Sequence, residues 1–268
     1  MRKFFGRPSL ASSILLSILS LTACSQNPGI SVTGNSANSG TGTGANATNC
    51  DIHTAEQPLR IILMVDNSSS TDTSDPGNVF RVKTVEAFMS EYGKKGNLTY
   101  SFGYFSHDPV AFNPANLSFG PLSSSPFGTA AQELKALEAF QGLGTEYGTA
   151  YSKAFSALSD TVAKDFASHS DQSYIVIFMS DGNPTDLGKD AATKIKSLVS
   201  TLRNSAVNGG KSMVSVSSVY FGPASSVGRI ANMQTVSNEG DGLFLDTNVS
   251  TAFTLESLIK IPGLDCSQ

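Results

Sequence analysis

Three short polar stretches carry oxygen-bearing side chains at spacings that suit a hard cation. Asp66, Ser68 and Ser70 alternate in VDNSSS, the end of an apolar run. Thr145 closes GLGT at 142–145, after flexible glycines. Asp181 stands in SDGNPTD at 180–186, directly after the apolar YIVIFM. Serine and threonine hydroxyls are neutral, hard donors, and Mg²⁺ takes six oxygens in a near-octahedral array while keeping some of its waters. Each stretch alone has a plainer role. Ser68 and Ser70 suit a helix cap or an Asx-turn with Asp66. Asp181-Gly182 and Asn183-Pro184 suit a turn, and 142–148 suits a hinge. The combination, in this order, points to a metal site formed by Asp66, Ser68, Ser70, Thr145 and Asp181.

Such residues meet only if strands and helices deliver them to one edge. Residues 59–65, 98–106, 174–179, 212–221 and 242–246 are expected strands, from short apolar, β-branched or aromatic runs. Residues 79–92, 130–140, 148–168, 187–204, 227–236 and 251–259 are expected helices, and 109–126 a short edge hairpin or loop. This alternation predicts an α/β fold: a doubly wound, mostly parallel central sheet flanked by helices on both faces. In such sheets ligands bind beyond the carboxyl ends of the strands.

On that alternation, D-x-S-x-S at Asp66, Ser68 and Ser70, a later Thr145 and a strand-terminal Asp181 resemble the metal-ion-dependent adhesion site of von Willebrand factor type A domains. The resemblance covers about residues 51–262. It implies that Ser68, Ser70 and Thr145 ligate Mg²⁺ (or Mn²⁺ or Ca²⁺) directly, with Asp66 and Asp181 accepting hydrogen bonds from ligand hydroxyls and metal-bound waters. With few charges on the metal, an outside carboxylate is favoured in its remaining position. The implied partner is a protein or acidic glycan presenting an Asp/Glu-type carboxylate. Glu146, beside Thr145, departs from the family pattern. It either adds a carboxylate near the metal, biasing the site towards Ca²⁺ or Mn²⁺, or points to solvent. Asp72 and Asp75 suit a solvated turn or a neighbouring Ca²⁺ site.

The N-terminus looks like a targeting segment. Arg2, Lys3 and Arg7 precede the apolar SILLSILSL, and LTAC ends at Cys24. This pattern resembles a bacterial lipoprotein signal, with residues 1–23 removed and Cys24 lipidated, anchoring the chain to a membrane. Residue 25 is serine, with no retention aspartate, so the expected location is the outer membrane of a bacterial cell envelope. Residues 24–49 are rich in Gly, Ser, Thr and Asn and suit a flexible tether averaging roughly 25–30 Å end to end. The domain then spans 50–268. Cys50 and Cys266 bracket it, and an exported context favours a disulfide between them.

With 268 residues and a formal net charge of -4, the chain has no Lys/Arg block, so nucleic acid is an unexpected partner. His53, His107 and His169 are scattered, and no GxSxG, HExxH or Walker A motif occurs. The chain is therefore expected to be a tethered adhesion or recognition module rather than an enzyme. The alternatives are an envelope assembly scaffold using the same site and, at lower weight, a metal-dependent hydrolase.

Overall fold

The computed structural model describes residues 52, 55–122, 127–249 and 253–262. Cys24, Cys50, Cys266 and His53, with the signal and tether, lie outside the described residues.

The core is one seven-stranded sheet in the order β4-β3-β2-β1-β5-β8-β9. Its strands are β1 (Leu59–Asp66), β2 (Leu98–Phe105), β3 (Pro109–Asn113), β4 (Ser118–Pro121), β5 (Ser173–Ser180), β8 (Val214–Tyr220) and β9 (Asp241–Asp246). β2, β1, β5, β8 and β9 run parallel, and β3 and β4 add an antiparallel edge hairpin. The fold is the expected one, α/β and doubly wound. The central strands β1 and β5 are apolar nearly throughout because both their faces are covered.

The alternation of side chains sorts the interior into two layers. Ile61, Leu63 and Val65 of β1, with Ile175, Ile177 and Met179 of β5, face α2 (Val79–Tyr92) and α3 (Ala130–Gln141). Ile62, Met64, Val176 and Phe178 share the other layer with α4 (Tyr151–Ser168), α5 (Ala191–Arg203) and α6 (Val227–Glu239). Tyr151, Ala154, Phe155, Leu158 and Val162 of α4 are buried at the spacing of one helical face. Thr129 starts α3 with a reciprocal cap: Gln132 N–H bonds its hydroxyl at 3.4 Å and Thr129 N–H bonds Gln132 Oε1 at 2.9 Å. Among the described residues, no helix is long and apolar enough to cross a membrane.

Several boundaries differ from the sequence reading. The expected last helix is a 3₁₀ turn, Leu255–Leu258, preceded by extended Thr254. Leu255 and Leu258 are buried, so packing on the sheet rather than helical periodicity spaces the apolar residues there. α4 starts at Tyr151, not 148, because Gly148 takes φ 97°. A two-residue hairpin, β6 (Val207–Asn208) with β7 (Lys211–Ser212), precedes β8. Gly209 and Gly210 turn it, both with positive φ as a primed turn requires.

The chain leaves β1 for β2 on one side and returns to β5 on the other. The carboxyl ends of β1 and β5 therefore frame the switch point, where a crevice opens between connections that diverge.

Candidate metal centre

Asp66 ends β1 and is fully buried. One carboxylate oxygen accepts the Ser68 N–H at 2.8 Å, and the other accepts the Ser180 hydroxyl at 2.6 Å. The first bond is an Asx-turn. It folds the chain back so that the Ser68 and Ser70 hydroxyls lie 3.1 Å apart. The turn reading and the site reading of this stretch are thus compatible: the turn is how the hydroxyls are aligned.

The third stretch is drawn in by backbone pairing. Glu146 N–H donates to Asn67 O at 3.0 Å, and Ser69 N–H donates to Glu146 O at 2.7 Å. Asn67 Nδ2 also holds Gly144 O at 3.1 Å. Thr145 consequently lies beside the serine loop, where its hydroxyl donates to Asp72 at 2.8 Å. The structure thus joins Asp66, Ser68, Ser70 and Asp181 around the ends of β1 and β5, with Thr145 on the adjoining segment. Asp72 is exposed in the one-turn helix α1 (Thr71–Ser74) and is Thr145's partner. The Ser106 hydroxyl bonds Glu146 Oε2, so that carboxylate is turned back towards the end of β2.

Asp75 corrects the sequence reading. It is buried rather than solvated, and its carboxylate pairs with Arg81 Nε at 2.7 Å. It also accepts the N–H groups of Phe80 at 2.7 Å and Arg81 at 3.1 Å, capping α2. Arg81 is itself buried and donates to Asp66 O and Asn78 Oδ1. These bonds consume the Asp75 carboxylate, which leaves it unsuited to a second cation site.

Sequence reasoning missed several supports. Ser180 is a hub: it donates to Asp66 while accepting from Tyr151 Oη at 2.8 Å and Gly182 N–H at 3.0 Å. Asp186 accepts the N–H groups of Tyr151 at 3.1 Å and Ser152 at 2.8 Å, tying the 181–186 loop to the start of α4. Arg229 on α6 reaches Asp181 Oδ2 at 3.1 Å. Gly182 has φ 77°, and a Cβ there would stand 2.5 Å from Arg229 O, so only glycine lets α6 come this close.

The electrostatics fit a cation. Burial, and secondarily the Asp181 charge, push the Asp66 carboxyl up to about 6 against the bonds from Ser180 and Ser68. Asp181 Oδ1 is buried with no hydrogen-bond partner. Two buried carboxylates share one corner with Arg229 on an outer oxygen, and a divalent ion would balance them. No group of three or more His, Cys, Asp or Glu suited to a metal occurs among the described residues. The candidate set instead combines two carboxylates with three hydroxyls, a donor set suited to Mg²⁺ rather than to zinc.

No protein-family model and no curated protein matches the sequence. Solved structures do. The pilus adhesin SpaC of Lactobacillus rhamnosus GG is 15% identical with a TM-score of 0.51, over 72% of this chain and 28% of that one. VWA2, the ArnB paralog of Sulfolobus acidocaldarius, is 19% identical with a TM-score of 0.43, over 71% and 41%. BatB of Bacteroides thetaiotaomicron is 13% identical with a TM-score of 0.47, over 74% and 97%. The chain thus spans less than half the length of the first two. At such identity a likeness is one of fold, and with the strand order observed here that fold is the von Willebrand factor A, Rossmann-like α/β sheet.

Proposed function

We propose that this chain is a recognition module that holds a partner's carboxylate through a divalent cation at the carboxyl ends of β1 and β5. The observation carrying this reading is the buried Asp66–Ser180–Asp181 corner with its unpartnered Asp181 Oδ1, set beside the paired hydroxyls of Ser68 and Ser70. Ser68, Ser70 and Thr145 would hold the ion, with Asp66 and Asp181 orienting hydroxyls and waters around it. Bound there, Mg²⁺ supplies a positive centre to which an outside carboxylate can bind. Ser180 and Arg81 hold Asp66 in place, and Asp186 and Tyr151 fix the opposite wall. The role proposed is binding rather than catalysis. SpaC, described as a pilus adhesin, shares the architecture, which supports the reading at the level of fold alone.

The same proposal places the domain on a bacterial envelope lipoprotein, lipidated at Cys24 and closed by a Cys50–Cys266 disulfide. Ile52 and Ile261, close to the two cysteines in sequence, lie in one core layer, which supports the bracket.

Calorimetric titration of Mg²⁺, Mn²⁺ and Ca²⁺ into wild type, Asp66→Ala and Thr145→Ala tests the site. Saturable binding is expected in wild type, weakened about 10–100-fold in Asp66→Ala. At 100 times the dissociation constant, an ion binding only the native state adds about 2.7 kcal/mol, which raises the thermal midpoint by about 5–10 °C. EDTA should remove that gain in wild type and change Asp66→Ala little. Equal midpoints with and without metal in wild type would overturn the reading.

A further inference from the structure

We propose that the face around this site is built for a protein segment in which an acidic side chain stands beside a bulky apolar one, not for an acidic glycan. The inference rests on the metal-site reading and names the partner class that reading leaves open.

Among the described residues, seven large apolar side chains are exposed. Single exposed apolar residues are ordinary; their distribution is what decides. Leu117 lies in the β3–β4 turn and Val207 in the small hairpin. The other five stand in connections at the carboxyl ends of the parallel strands. Val79 opens α2 after β1, and Val227 opens α6 after β8. Val249 follows β9, and Leu143 and Tyr147 sit on the loop that enters α4.

Two of these adjoin, in sequence, residues that hold the corner. Tyr147 is 89% exposed and follows Glu146, whose backbone pairs with Asn67 and Ser69. Val227 is 75% exposed and lies two residues before Arg229, which touches Asp181. Arg229 is itself about a third exposed. A carboxylate arriving at Asp181 therefore meets a guanidinium as well as the proposed ion, and a planar guanidinium suits a carboxylate. With the proposed ion bound, the charge at this corner calls for an anion, while the rim calls for something to cover Tyr147 and Val227. A protein segment carries both groups on neighbouring residues. An acidic glycan presents carboxylates among hydroxyls and leaves Val227 wet. Covering one Val- or Tyr-sized surface is worth about tenfold or more in affinity.

The test uses the full chain on an array of immobilised peptides. Each peptide has a central Glu flanked by Ser, Leu or Phe, and a polygalacturonate-coated surface is read beside them. Wild type, Tyr147→Ser, Val227→Ser and Asp66→Ala are compared in Mg²⁺ and in EDTA. Both rim substitutions are on exposed side chains, and unchanged thermal midpoints confirm intact folding. The expected result is at least tenfold stronger retention on Leu- or Phe-flanked Glu than on Ser-flanked Glu in Mg²⁺, with that preference reduced in Tyr147→Ser and Val227→Ser. Retention that needs Mg²⁺ but ignores the flanks and both rim variants overturns the apolar rim and leaves the metal reading standing. So does retention on polygalacturonate alone. A flank preference that persists in EDTA and in Asp66→Ala overturns the metal reading while the rim survives. No retention on any surface overturns the proposal.

Discussion

Glu133 is an acid folded into an apolar layer. It is fully buried on α3, one oxygen accepting the Phe102 N–H at 3.0 Å and the other without a partner. It fills a gap in the sheet: β3 pairs with β2 only over Gly103–Phe105, which leaves Phe102 N–H to be met by a side chain. Burial pushes its carboxyl up to about 8 from 4.5. The folded state therefore holds a proton that the unfolded chain releases near its ordinary range. Stability from the neutral acid is complete below about pH 4.5 and declines as pH rises towards about 8. The decline is on the order of a few kcal/mol. Glu133→Gln should flatten it and raise the denaturation midpoint at pH 8, measured by urea unfolding at several pH values. An unchanged slope would show that the acid is solvated in the native state. Residues that follow apolar runs were legible in the sequence: Asp66, Ser68, Ser70 and Asp181 stand where strands end. Ser180, Tyr151 and Arg229 were not, because their roles come from contacts that no local spacing encodes. Ser180 meets Asp66 across 114 residues and Arg229 meets Asp181 across 48. Glu133 likewise carries no local signal, because the Phe102 N–H it meets lies 31 residues away.

At the scale of elements, strands were the most legible part, because a strand covered on both faces must be a short apolar run. Turns and the C-terminal segment were less so. The 251–259 stretch has apolar residues at helical intervals, yet within its described part, 253–259, the chain makes only the turn Leu255–Leu258. The connection from β1 to α2 holds the least expected feature, a buried Arg81–Asp75 pair joined to the backbone of Asp66. A charged side chain in the first turn of a helix ordinarily faces solvent, and Arg81 of α2 does not. It instead lies between the rings of Phe140 and Phe221, at 5.5 and 5.3 Å from their centroids. Breaking one half of a buried pair strands the other charge. Asp75→Ala and Arg81→Met should each cost about 3–5 kcal/mol, with the double variant costing less than the sum. Chemical denaturation of the cycle measures this. Additive losses would mean that the two charges do not depend on each other. Because Arg81 also donates to the Asp66 carbonyl, affinity for the proposed ion should fall in Arg81→Met even at temperatures where the variant is folded.

For the whole molecule, the doubly wound order decides where function can sit. The β1–β5 switch point is the place from which connections diverge, and the three polar stretches converge there from segments far apart in sequence. The proposed lipid anchor and tether would let that face turn towards a partner. Cys24→Ala should move the protein from the membrane to the soluble fraction or block its processing, as fractionation followed by mass spectrometry of the N-terminus would show. A variant still processed and membrane-bound would place the anchor elsewhere. The chain has seven tyrosines and no tryptophan. Tyr92, Tyr100, Tyr104, Tyr151, Tyr174 and Tyr220 are buried, and Tyr147 alone is in water. The molecule thus carries a natural optical label on the rim of its site. Acrylamide quenching of its ultraviolet emission, or mild nitration, will address chiefly that one ring, so an occupied rim can be detected without attaching a dye.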